Sequence, residues 1–109
     1  MFNLGLTYMT SDKTQLLENA QYVAAILKQL ANPYRLVILC SLANNEMTVG
    51  DLNEQVDLSQ SALSQHLAKL RESEIVTTRH VSQTIYYRIS NPKIKVLLEV
   101  LQQQFCEDI

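Results

Sequence analysis

The sequence predicts a mainly α-helical fold with one small β-hairpin. Three observations carry that expectation. Apolar residues recur at three- and four-residue intervals through most of the chain. Only two Gly and two Pro occur in 109 residues, too few for a turn-rich β fold. The one stretch dense in β-branched and aromatic residues, 76–89, is short and is interrupted at Ser82-Gln83. With 47% hydrophobic and 18% charged residues the chain is globular, not disordered. Its length fits one domain, read as residues 11–109, with 1–10 as a flexible lead-in.

The elements follow in order. A first helix is expected from Lys13 to Leu30, capped by Ser11 or Asp12. Leu16, Ala20, Val23, Leu27 and Leu30 form its apolar stripe, and Leu17, Ala24 and Ala31 widen it beyond what one core needs. Asn32-Pro33 restarts the chain: Asn caps, and Pro at the first helical position gives up only an N–H that would be unpaired anyway. The second helix runs to about Ala43, with Leu36, Leu39, Cys40 and Ala43 on one face. Thr48 with Asp51 has the spacing of a capping box and opens a short third helix. Leu52 and Val56 are its inward residues. Ser59 caps a fourth helix, where Leu63, Leu67 and Leu70 form the buried row and Ser61, Ser64, Gln65 and Ala68 the opposite one. Strands 76–81 and 84–89 form the hairpin, although neither Gly nor Asn supports its tight turn. Asn91-Pro92 repeats the cap-and-proline signal, and a fifth helix is expected to run to about Cys106. Ile94, Leu97, Leu98, Leu101 and Phe105 line one of its faces, and Val96 and Val100 add a second.

A short helix, a turn and a longer helix make a helix-turn-helix, and the hairpin after it is placed as a wing. In such a unit the second helix presents side chains to phosphates and base edges. Here those are Ser59, Gln60, Ser61, Ser64, Gln65 and His66, followed by Lys69 and Arg71. Gln can bond adenine through two atoms, and Ser can meet several acceptors. Arg79 and His80 lie near the tip of the wing, and Gln83 lies on it too. His66 sits at the edge of the apolar row, where packing and DNA contact are both open. The formal charge of −2 is unevenly spread. Residues 1–58 hold three basic against six acidic side chains, whereas 59–88 hold Lys69, Arg71, Arg79 and Arg88 against Glu72 and Glu74. That local positive excess suits double-stranded DNA better than the total suggests. The surplus apolar surface of the first and last helices suits a homodimer, whose two-fold axis would match a palindromic operator.

The runs Leu30-Ala31-Asn32-Pro33-Tyr34-Arg35-Leu36, Val49-Gly50-Asp51-Leu52 and Leu58 to Leu67 together resemble the ArsR/SmtB family of winged-helix regulators. The resemblance covers nearly everything from the first helix to Cys106. It implies a homodimer built on the first and last helices, operator binding, and repression relieved by an inducer. Two positions depart from the family's pattern. Glu74 and Ser82 stand where Gly is common, after the recognition helix and in the wing. The usual metal sites are also missing: there is no Cys pair at Met47–Asp51, and no His on the last helix. No metal or other cofactor is therefore expected.

Two cysteines in a reducing compartment are ordinarily small buried hydrophobes. The chain is also similar to the HlyU/BigR/SqrR branch of the family, and that resemblance implies that Cys40 and Cys106 form a redox or persulfide switch. Reactive sulfur or another oxidant would be the inducer. The acidic Glu107-Asp108 pair is expected to raise the Cys106 pKa and to count against it as first attacker. Catalysis is not expected, since no Gly-rich phosphate loop, acidic dyad or Cys/His pairing at a known spacing is present. No signal peptide or apolar run of spanning length is read, which predicts a cytoplasmic protein. The remaining alternatives are a regulator that acts by displacing a silencer and a protein-interaction module without DNA binding.

Overall fold

In the computed structural model, residues 13–106 are described. The lead-in 1–10, the Ser11 and Asp12 caps and the Glu107-Asp108 pair lie outside the described residues. Within them the chain forms α1 (Lys13–Leu30), α2 (Pro33–Leu42), α3 (Val49–Gln55), α4 (Gln60–Glu72), β1 (Val76–Val81), β2 (Thr84–Ile89) and α5 (Pro92–Phe105). This is the mainly α architecture with a hairpin wing that the sequence predicts.

The helix starts are set by the expected side chains. Asn32 Oδ1 accepts from the N–H groups of Tyr34 and Arg35 at 2.9 and 3.1 Å. At α3 the capping box is reciprocal: Asp51 N–H donates to Thr48 Oγ1, and Thr48 N–H donates to Asp51 Oδ2, both at 3.1 Å. Ser59 Oγ accepts from Ala62 N–H at 3.1 Å, and Asn91 Oδ1 from Lys93 N–H at 2.9 Å. Each such cap contributes about 1 kcal/mol by satisfying an otherwise orphaned donor.

One apolar core joins α2 to α5. Leu39, Leu52, Leu63, Leu67, Leu70 and Leu98 are fully buried in it, with Ile38 and Ile75 beside them. No polar or charged residue is buried among the described residues. Of α1, Leu30 is buried in this core and Ile26 packs against it; Leu16, Leu17, Tyr22, Val23 and Leu27 remain exposed.

The hairpin pairs antiparallel from Val76↔Ile89 to Val81↔Thr84, which leaves Ser82-Gln83 as a two-residue loop. The turn closes without Gly because Ser82 itself adopts φ 56°, the positive value that a type II′ turn needs at its first central position. Glu74 makes the matching departure at φ 62°. There Ile75 N–H donates to Leu70 C=O at 2.9 Å and Glu74 N–H to Arg71 C=O at 3.0 Å. Those two bonds are the Schellman ending of α4, with Glu74 at the position where glycine is favoured. Outside the hairpin, Met47 pairs with Tyr87 through two backbone bonds of 3.1 and 2.8 Å. They tie the wing to the loop before α3.

Candidate nucleic-acid interface and thiol pocket

The three leucines of α4 are 0–1% exposed and fix the helix's rotation. Helical geometry then turns Ser61, Ser64, Gln65 and Ala68 outward, and all four are exposed. Gln60 joins them on the first turn, and Lys69 and Arg71 extend the exposed surface into the last. Ser59 is exposed too, but its hydroxyl oxygen is engaged as the helix cap.

His66 does not join that row. It is half-buried against the start of α2, with Nδ1 3.5 Å from Arg35 Nη1 and its ring centroid 6.2 Å from that of Tyr34. Burial, then the charges of Arg35 and Lys69, lower its pKa, so the neutral ring that can accept from Arg35 is favoured. Arg35 Nε also donates to the Gln29 carbonyl at 2.6 Å. One guanidinium thus touches the end of α1 and the recognition helix together.

On the wing, His80 and Gln83 are exposed, with Gln83 in the terminal loop. Arg79 lies mid-strand opposite Tyr86, not at the tip. Its side chain folds back onto the body. Nε donates to both carboxylate oxygens of Glu46, at 3.0 and 2.8 Å, and Nη2 donates to Oε1 at 2.8 Å. The guanidinium carbon stands 4.9 Å from the Tyr86 ring centre. The positive excess counted over 59–88 is therefore reduced by an acid from outside that stretch, leaving Lys69, Arg71 and Arg88. Neither Glu46 nor the Arg35–His66 contact was signalled by sequence, because each pairing spans about thirty residues.

Cys40 and Cys106 are both free thiols, half-buried, and line one cavity of about 650 Å³ between α2 and α5. Leu36, Val37, Leu101 and Phe105 supply its apolar wall, and no charged side chain among the described residues lines it. Burial pushes the Cys40 thiol up, and the nearby Cys106 pushes it further, while a hydrogen bond from Gln102 opposes both. Cys40 is thus not the low-pKa nucleophile that a reactive thiol ordinarily is. Among the described residues, no cluster of three or more His, Cys, Asp or Glu is placed to hold a metal ion. No single helix among them is long and apolar enough to cross a membrane.

Residues 32–78 match the family model described as "Bacterial regulatory protein, arsR family". The chain is 44% identical over 90 residues to the transcriptional activator HlyU of Vibrio cholerae serotype O1, covering 83% of each. The solved structure of reduced HlyU from Vibrio cholerae superposes with a TM-score of 0.80 at 43% identity, over 84% of this chain and 97% of that one. The transcriptional repressor BigR from Xylella fastidiosa superposes at 0.78 with 39% identity, over 87% and 97%. A homodimeric winged helix-turn-helix DNA-binding domain from Mycobacterium bovis does so at 0.73 with 28% identity, over 86% and 87%.

Proposed function

Because the chain belongs to the arsR family of bacterial regulatory proteins, which are DNA-binding regulators and not enzymes, we propose that it acts in the cytoplasm as a homodimeric, sequence-specific regulator whose operator binding is switched by oxidation or persulfidation of Cys40 and Cys106. The observation that carries the DNA-reading part is the exposed row Ser61, Ser64 and Gln65 on a helix locked by three fully buried leucines. Short neutral polar side chains on a rigid helix suit base edges, and Lys69 and Arg71 suit phosphates. Repression by occluding a palindromic operator is the expected outcome.

The switch rests on both thiols facing one cavity. A thiolate attacks the outer sulfur of a hydropersulfide RSSH, giving a cysteine persulfide and releasing RS⁻, which takes up a proton. The second thiol then attacks the inner sulfur, closes a disulfide and releases H₂S. The two cysteines lose two electrons and the persulfide gains them. We read Cys40, whose thiol burial pushes up, as the resolving residue and Cys106 as the first attacker, against the expectation drawn from Glu107-Asp108. A bond between them ties α5 to α2, and the first turn of α2 touches His66 of the recognition helix.

Gel shift tests both parts. Reduced wild type is expected to bind a duplex selected from a random pool, with affinity falling steeply as salt rises. Ser61→Ala with Gln65→Ala is expected to lose about tenfold or more, on the scale of one base contact. Polysulfide treatment is expected to weaken wild type but neither Cys40→Ser nor Cys106→Ser. Equal binding by reduced and treated wild type would sink the switch. Absence of duplex binding would instead favour a protein-interaction module. Alkylation followed over pH checks the thiol assignment: Cys106 reacts first, and Cys40 accelerates only at higher pH. In Cys106→Ser the Cys40 titration moves down, because one of its two raising causes is removed.

A further inference from the structure

The wing arginine is held on two sides. Glu46 takes its Nε edge through three short bonds, and the Tyr86 ring lies against it. Attachment of the wing does not require this. Met47, next to Glu46, already joins the loop to β2 by two backbone bonds. The ion pair is also largely open to water, with Arg79 48% and Glu46 28% exposed. An exposed pair of this kind is weak enough for another anion to displace. What it changes is charge: while paired, Arg79 presents no net positive charge to a passing duplex.

We propose that Glu46 is a built-in competitor for phosphate, which keeps Arg79 on the body of the protein until base contacts by α4 seat the wing against DNA. This rests on the DNA-reading function proposed above. On arbitrary sequence α4 gains little, the pair persists, and the wing releases no counterion. On a matching operator the wing is held close, and the backbone phosphate replaces the carboxylate at the guanidinium. Glu46 therefore acts as a specificity-determining residue, weakening binding to arbitrary DNA more than to the operator.

The test measures binding by fluorescence anisotropy across a salt series. It uses the full chain with a mixed-sequence duplex of about 20 base pairs and with a duplex selected from a random pool. Neutralising one phosphate steepens the log–log salt slope by about 0.9, equivalent to about eightfold in affinity near 0.1 M salt. Glu46→Gln is expected to gain roughly that on the mixed-sequence duplex for each wing engaged, and less on the selected one, so that the ratio between them falls. In an Arg79→Gln background, Glu46→Gln is expected to change neither affinity nor slope. An unchanged slope in Glu46→Gln overturns the proposal. So does an equal gain in the Arg79→Gln background, which would mark general removal of negative charge. If wild type binds neither duplex, the DNA-reading function fails and this inference with it. If wild type binds both and Glu46→Gln behaves identically, only this inference fails.

Discussion

Helices α1 and α4 carry similar apolar patterns and have opposite fates. In α4, Leu63, Leu67 and Leu70 are 0–1% exposed, whereas in α1 Leu16, Leu17, Val23 and Leu27 are 42–59% exposed. Periodicity says that a helix has an apolar face, but not what covers it. For α4 the cover is α3, β1 and the common core of the same chain. For α1 no described residue of the protomer covers those side chains, and Val96, Val100 and Phe105 of α5 are exposed as well. We propose a second copy as the cover, in keeping with the homodimeric Mycobacterium bovis domain that shares the fold. The sharpest test is one substitution on each helix. Leu67→Ala is expected to cost about 3 kcal/mol, the sum of lost transfer energy and the cavity left behind, at any protein concentration. Urea unfolding at two concentrations checks it.

The complementary change places a charge on the open face. Leu27→Glu is expected to leave the protomer folded, because no core contact is lost, but to disrupt pairing by burying an unpaired carboxylate. Sedimentation should report a monomer. Affinity for the selected duplex should fall about a hundredfold, since one recognition helix then binds without its two-fold mate. A dimer that persists in Leu27→Glu at micromolar concentration would place the interface elsewhere.

The same contrast explains how much was legible. Elements and caps were, because their signals are local: Asn32-Pro33, Thr48 with Asp51, Ser59 and Asn91-Pro92 each act within four residues. The end of α2 differs by one residue, since Ala43 serves as its cap. The outward row of α4 was legible for the same reason. Pairings distant in sequence were not. Nothing local announces that Glu46 faces Arg79 or that His66 leans on Arg35 and Tyr34. The common cavity of Cys40 and Cys106 could be anticipated only through family resemblance, because those residues meet through the packing of α2 on α5. Resemblance supplied no sign for the Cys40 pKa, which depends on burial.

Glu74 and Ser82 show a further way in which sequence and structure separate. Both stand where glycine is common, and that departure left their turn geometry open. The turns form regardless, with each residue holding a positive φ. At Glu74 the surroundings account for it. Ile75, 1% exposed, anchors the chain just past the helix, and the Glu74 carbonyl accepts from Ser90 Oγ at 2.6 Å. A left-handed conformation costs an L-residue about 1–2 kcal/mol, and glycine avoids that cost. Glycine also gives the unfolded chain more freedom, which offsets about 0.5–1 kcal/mol of the gain. Glu74→Gly is therefore expected to stabilise the protein by about 0.5 kcal/mol, the smallest effect considered. Because the Glu74 side chain is exposed, no packing is lost to obscure the result. Glu74→Ala, which keeps the Cβ, should gain nothing. Equal gains from Gly and Ala would show that the side chain's charge, not its backbone conformation, is what limits stability at the end of α4.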